Sequence, residues 1–377
     1  MPPLHEEGIG MRNVVCGVFL LVALATAAAG RTWIVDASGT GDFLRITDAV
    51  IAASAGDTVG IEPGIYDELD LGQTEITDKP LTLLGRGTEP DDVSAKISIW
   101  FRRCGPSLIE RILFDGGQEN FPNECVMFVY GDVSIRKCEF RNIRSNGAPL
   151  SLGPGTSIVE ECIFRDNVGN DDYGGGAVQE WGDTEIRRCT FIGNQAANGG
   201  GAIANQGRAI IEDCVFLRNK ANTGAAIMGR DPSIRRCTFL LNECMRPSCS
   251  CLETIGTGDW ENAIQQCIVA KTINGFGIEC SGVKIFECCD FWMNERGDYV
   301  GFWCSHGDDE GCFSADPLFC NETEGDLHLL EGSPCLPQQH GLLQCGLVGA
   351  LGVGCAGSPT QKVTWGRIKS SFRDATR

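Results

Sequence analysis

SIRKCEF (134–140), IVEECIF (158–164), EIRRCTF (185–191), IIEDCVF (210–216), SIRRCTF (233–239) and AIQQCIV (263–269) are six versions of one phrase. IERILF (109–114), with Ile112 in the cysteine position, and FECCDF (286–291), with Cys289 there, extend the series. The anchors at 112, 138, 162, 189, 214, 237, 267 and 289 lie 26, 24, 27, 25, 23, 30 and 22 residues apart. A period of roughly 25 residues with variable filler is the pattern of a β-solenoid, whose insertions fall in its turns.

Each unit reads Ile/Val-x-x-Cys-x-Phe. A single strand alternates faces with period 2, so it cannot send all three apolar residues to one side. A bend between Ile and Cys resolves this: Ile points inward from one strand, Cys and Phe from the next. Stacked coils then align Cys138, Cys162, Cys189, Cys214, Cys237, Cys267 and Cys289 in one internal column. Phe164, Phe191, Phe216, Phe239 and Phe291 are each followed three residues on by Asn, giving a second column of Asn167, Asn194, Asn219, Asn242 and Asn294. Asn tolerates left-handed backbone and can bond the neighbouring turn. The returns Gly174-Gly175-Gly176-Ala177-Val178, Gly199-Gly200-Gly201-Ala202-Ile203 and Gly224-Ala225-Ala226-Ile227 open a third strand. No helix signal follows them, so they do not read as phosphate loops.

The expected fold is therefore all-β, a right-handed parallel β-helix (solenoid) with an N-terminal amphipathic capping helix. Phe-x-x-Asn joined to Gly-Gly-Ala-Ile/Val resembles the repeats of chlamydial polymorphic outer-membrane proteins, without their C-terminal membrane barrel. Residues 33–68 set Phe43, Ile46, Ala49, Val50 and Ala53 at helical spacing between strand-like stretches. This segment is similar to the N-terminal cap and first coil of pectin methylesterases and other pectate-lyase-like β-helices. The esterase's catalytic Gln, paired Asp and Arg motifs have no counterpart downstream. Residues 314–355 resemble the closing coil of secreted bacterial β-helix proteins, with His328 read as a solvated strand residue.

Met11-Arg12-Asn13, the apolar run Val14 to Ala25 and the small residues up to Gly30 form a secretory signal. The expected organisation is signal peptide 1–29 (translation starting at Met1 or Met11), cap and first coil 30–80, coils 81–313, closing Cys-rich coil 314–355 and basic tail 356–377. The tail carries Trp365, Ile368 and Phe372 on one helical face. A formal charge of −19 argues against nucleic acid and anionic membranes as partners. The mature chain, with no other apolar run long enough to span a bilayer, is expected to be secreted or on the cell surface, as a soluble monomer.

The 21 cysteines divide into two populations. The internal column is expected to hold mostly unpaired thiols, because stacked parallel side chains suit neither a bridge nor a tetrahedral zinc site. Cys244, Cys249, Cys251, Cys304, Cys312, Cys320, Cys335, Cys345 and Cys355 sit in irregular stretches, where crosslinks gain most. Cys335 is expected to be bridged. A zinc site at Cys244, Cys249 and Cys251 is the lesser alternative.

Candidate function concentrates on the third strand, whose outward and turn positions include Gln179, Glu180, Trp181, Asn205, Gln206, Met228 and Arg230, with Asp259 and Trp260 one coil later. Trp181 and Trp260 would stack on sugar rings, while Glu180, Gln206, Arg230 and Asp259 bond hydroxyls. The bland alternative is a mixed solvent face. Catalytic candidates are Asp171, Asp172, Glu180 and Asp259, on composition alone; Arg187 and Arg235 read as solvent-facing residues of another strand. With no acidic cluster evident on the groove strand, the favoured expectation is a non-catalytic binder of polysaccharide or another cell-envelope component. A polysaccharide lyase or glycoside hydrolase and a structural solenoid are the alternatives. No cofactor or metal is expected, and Ca²⁺ enters only for a lyase. N-terminal sequencing of secreted material should find the mature chain beginning between Ala28 and Arg31; soluble secreted protein retaining 14–25 would contradict the signal reading.

Overall fold

The structure, a computed structural model, describes residues 30–117, 125–170, 174–230, 232–255, 263–280, 285–301, 311–337, 339 and 345–355. The apolar run 14–25 and the tail 356–377 lie outside them. The chain winds through parallel strands that stack coil on coil. One sheet of nineteen strands takes two strands per coil, a second sheet has ten strands, and a third has five short ones. One coil shows the plan: Val178–Glu180 and Asp183–Arg187 in the large sheet, Thr190–Ile192 in the second, Gln195–Ala196 in the third. The chain then returns at Ile203–Asn205, paired in register with Val178–Glu180.

The bend between Ile and Cys is made by a residue in the left-handed region. Arg111, Lys137, Glu161, Arg188, Asp213, Arg236, Gln266 and Cys288 all have φ between 47° and 56°, and each immediately precedes an anchor. A second left-handed row, Asn142, Asp166, Gly193, Arg218, Leu241, Lys271 and Met293, stands one residue before the Asn column. Asn itself is thus not the left-handed residue of its corner. It turns inward and is buried, and the residue before it makes the bend. Left-handed backbone costs a non-glycine residue about 1–2 kcal/mol, so both corners require compensation from what they stack.

Three internal rows supply it. Phe114, Phe140, Phe164, Phe191, Phe216 and Phe239 stack with centroids 4.6–5.0 Å apart. The seven column cysteines are buried and unpaired. Each thiol's single hydrogen is shared between two carbonyls, one two residues back and one in the preceding coil: Cys138 Sγ lies 3.4 Å from the Arg136 oxygen and 3.7 Å from the Ile109 oxygen. Burial pushes the thiols of Cys138, Cys189, Cys237 and Cys289 well up, which keeps them protonated. In the third row the Asn167 amide donates to Asn194 Oδ1 (2.9 Å), Asn194 to Asn219 (3.0 Å) and Asn219 to Asn242 (3.1 Å). The same amides donate to Phe140, Phe164 and Phe191 carbonyls. Thr272 interrupts the row between Asn242 and Asn294, its backbone N–H and hydroxyl both donating to Asn294 Oδ1.

On the outside, Glu110, Arg136, Glu160, Arg187, Glu212, Arg235, Gln265 and Glu287 are register neighbours in successive coils. Signs alternate over the first six. Arg136 pairs with Glu160 (3.4 Å), Arg187 with Glu212 (3.6 Å), and Arg235 bonds Gln265 (2.7 Å). Arg187 and Arg235 are therefore members of this ladder.

Early in the described residues lies the helix α1 (Ile46–Ala52), which buries Ile46, Thr47, Ala49 and Val50. Its packing partners include Thr32–Val35, Thr58–Ile61 and Gln73–Thr77. Neither end has a local cap. Instead the Glu68 carboxylate accepts from the Ile46 and Thr47 N–H groups (2.6 and 2.9 Å), and the Lys79 ammonium donates to the Val50, Ile51 and Ala53 carbonyls.

Residues 314–355 differ from a closing coil. Phe319–Asn321 and Asp326–Leu329 pair antiparallel, and the segment folds back over the outer face of the ten-stranded sheet. Phe319, Leu327, Leu329, Cys335 and Val348 pack on the outward Ile192, Val215, Leu217, Leu240 and Ile268. Those coils carry apolar residues on both sheet faces, and the strap removes the outer one from water. His328 is buried, with its Nδ1 2.8 Å from Asp326 Oδ1, and is not the solvated residue expected. Disulfides Cys288–Cys345 and Cys320–Cys355 fasten the strap. Cys335 is a free thiol, contrary to expectation, because it faces Asp290: its Sγ donates to Oδ2 at 3.3 Å. Cys244 bridges Cys249, which removes both from any zinc set, while Cys251 stays a buried thiol pushed up to about 12.

Asn194→Ala should cost about 2–4 kcal/mol, because it strands the Asn167 N–H and one Asn167 amide hydrogen and removes a donor from the Phe164 carbonyl in the core. Urea unfolding measures this; a loss below about 0.5 kcal/mol would remove the Asn row from the account of stability.

Candidate functional site

The outer face of the large sheet carries exposed aromatic and polar side chains. Strand alternation in Ser98–Glu110 turns Ile99 and Phe101 inward and Trp100 and Arg102 outward. In Met127–Arg136 it turns Phe128 and Tyr130 outward. Trp100 pairs in register with Phe128, and Arg102 with Tyr130. The columns continue through Ser151, Gln179, Ala204, Met228, Glu253 and Glu279 on one side. On the other side, one residue beyond the paired strands, follow Gly153, Trp181 and Gln206, with Arg230 next.

An aromatic strip results. Trp100 and Phe128 lie 5.1 Å apart by centroid, and the Arg102 guanidinium stands 5.1 Å from the Trp100 ring. Tyr130 is 45% exposed and Trp181 38%, among the most exposed large apolar side chains described. Trp181 is held in place: its Nε1 donates to Gln206 Oε1 at 3.2 Å. That leaves the Gln206 amide hydrogens as donors beside the exposed Arg230.

Trp181, Gln206 and Arg230 thus come together as neighbours. Glu180 does not join them. It shares the parity of the inward Val178, is fully buried, and has one carboxyl oxygen without a partner. Burial pushes it up to about 8, so it is a neutral acid at pH 7 and out of reach of a bound chain. Asn205 likewise turns inward, its amide donating to the Arg230 carbonyl. Asp171, Asp172, Asp259 and Trp260 lie outside the described residues.

Sequence reading missed Trp100, Phe128 and Tyr130, although SIWF and MFVY alternate cleanly. They stand early in their strands, ahead of the Ile-x-x-Cys-x-Phe phrase, where no Gly-Gly-Ala-Ile return marks the third strand. It also missed Glu253 and Glu279. They pair in register on the outward groove column, which corrects the expectation of no acidic cluster there. Burial, then the Glu279 charge, push Glu253 up to about 7; burial also raises Glu279. They sit in successive coils, and the Cys-rich stretch 244–251 just before Glu253 hid the alignment. Among the described residues, no three His, Cys, Asp or Glu side chains are placed to hold a metal ion. No helix there is long and apolar enough to cross a membrane.

Residues 121–310 match the family model described as a right handed beta helix region. Among solved structures, a pectin methylesterase from carrot is similar over 78% of this chain and 91% of that one, at 11% identity and TM-score 0.36. A mannuronic acid specific polysaccharide family 6 lyase from human gut microbiota is similar over 76% and 91%, at 10% identity and TM-score 0.29. No curated protein sequence matches the chain.

The raised carboxyls fix the sign of pH dependence. Glu180 (about 8), Glu253 (about 7) and Asp290 (about 7) hold their protons more tightly folded than unfolded. Their contribution is full below the ordinary carboxylate range and is lost as pH rises through these values. Asp57 and Asp115, held low by hydrogen bonds, lose theirs on acidification instead. The urea midpoint should therefore be higher at about pH 5 than at about pH 8.5, and Glu180→Gln should narrow the gap. A midpoint rising towards pH 8.5 would contradict the burial of these groups.

Proposed function

The chain belongs to the right-handed β-helix family, and we propose that it is a secreted or cell-surface protein that binds carbohydrate along the outer face of its large sheet, without catalysis. The observation that carries this reading is the strip Trp100, Phe128, Tyr130 and Trp181, set on rigid strands and ending in Gln206 and Arg230. Sugar rings present apolar C–H faces, and a preordered aromatic side chain loses little entropy on covering them. The disulfides Cys244–Cys249, Cys288–Cys345 and Cys320–Cys355 fit an oxidising compartment. In the same reading the ligand is a polysaccharide or another cell-envelope component, the protein acts as a monomer, and α1 covers the N-terminal end of the stack.

Glu253 and Glu279 favour one second reading. Two neighbouring carboxyls, Glu253 pushed up to about 7 by burial and by the Glu279 charge, and Glu279 raised by burial, are the kind of pair that acid–base cleavage of a glycan uses. The two readings separate on the same variants. Trp181→Ala and Tyr130→Ala should each weaken oligosaccharide binding roughly tenfold with little change in thermal midpoint, while Glu253→Gln leaves binding unchanged and no product forms. Product released by wild type and abolished in Glu253→Gln would establish the enzyme instead. Wild-type affinity in both aromatic variants would make the strip an ordinary solvent face.

A further inference from the structure

The two exposed rings of the strip stand in one column, which crosses the strands and so runs along the solenoid axis. Tyr130, Gly153 and Trp181 each lie one residue past the aligned Val129, Leu152 and Glu180, which sets Tyr130 and Trp181 two coils apart. Both rings lean towards the following coil. Tyr130 Cδ2 lies 3.3 Å from the place a Cβ of Gly153 would take, and Trp181 Nε1 donates to Gln206 Oε1 in the next coil at 3.2 Å. The shared lean keeps the rings two strand spacings apart, about 9.6 Å. Gly153 raises no side chain between them, and Tyr130 and Phe128 fill that place flush, Phe128 Cζ lying 3.7 Å from the same point.

Resting on the carbohydrate reading, we propose that this column is matched to a neutral β-1,4-linked glycan whose sugars are joined equatorially at both ends, extended along the solenoid axis with one sugar per coil. Each sugar of such a chain advances it by close to one strand spacing. Successive sugars are turned over by half a turn, so the first and third present the same apolar face to the same side. Tyr130 covers the first and Trp181 the third, while the second crosses the flush stretch at Gly153. Gln206 and Arg230 continue the column and offer donors to ring hydroxyls. An α-1,4 chain, with its axial linkage, curls into a helix and lifts its third sugar off the line. A uronate chain would carry its carboxylates along this face towards Glu253 and Glu279, on a protein of charge −19, and a neutral chain meets no such repulsion.

The test is titration calorimetry with cellobiose and cellotriose, and with maltose and maltotriose, which are built from the same sugar through the other linkage. The third sugar of cellotriose is the first to reach the second ring, so wild type should bind cellotriose roughly tenfold tighter than cellobiose, the gain one aromatic anchor provides. Maltotriose should show no such step over maltose. Tyr130→Ala and Trp181→Ala should each bring cellotriose down to the affinity of cellobiose, with the thermal midpoint measured alongside. Trp181→Phe keeps a ring at the second position, should retain most of the step, and serves if Trp181→Ala does not fold. A step absent from the cellobiose pair, equal in the maltose pair, or surviving in both alanine variants overturns the linkage match and leaves carbohydrate binding itself standing. Failure of wild type to bind any of the four sugars overturns the match and counts against the carbohydrate reading as well.

Discussion

Coil-to-coil stacking is the constraint from which the rest of this protein follows. Each coil closes only by placing non-glycine residues such as Arg188 and Arg218 in left-handed backbone at its corners. An isolated coil has nothing to offset that strain. Once stacked, the Phe rings, the thiols and the Asn amides each meet their equivalent in the next coil, and the corner beside them becomes tolerable. Polar groups in the core are acceptable on the same terms: Asn194 is fully buried, yet its amide and carbonyl are both satisfied by neighbouring coils. The outer ladder adds register more than stability. Exposed pairs such as Arg187–Glu212 contribute little singly, but a slip of one coil would set Glu beside Glu and Arg beside Arg.

Stacking also converts sequence period into surface columns. A residue repeated every coil becomes a stripe on the molecule, and its chemistry is set by whether the stripe faces core, solvent or strap. Ile192, Leu217 and Leu240 face outward on the ten-stranded sheet and would be an exposed apolar stripe without residues 314–355 over them. That face is closed by the chain itself. The aromatic column on the large sheet has no such cover among the described residues, and its rings are correspondingly open.

The winding, the period and the free cysteine column were legible because the anchors Cys138 to Cys289 repeat with only turn insertions between them. What escaped was set by contacts remote in sequence. Glu180 looks outward in a string of polar letters, but parity with Val178 turns it inward. His328 and Cys335 looked exposed or bridged, and only the fold of the strap shows what they meet: Asp326 for one and Asp290 for the other. Tyr130 and Trp181 lie 51 positions apart in the chain yet share one outward column, a relation that requires the register of three coils.

The account's central claim is that this one outward column is where the protein meets its ligand. Hydroxyl-radical footprinting of the full chain, with and without a bound oligosaccharide, reads side-chain exposure along every column at once. Trp100, Tyr130 and Trp181 should lose reactivity on binding, while the exposed Ile65, Met293 and Leu330, on other parts of the surface, keep theirs. Protection confined to the strap or to the N-terminal coils, with Tyr130 and Trp181 as reactive as in the free protein, would contradict the claim.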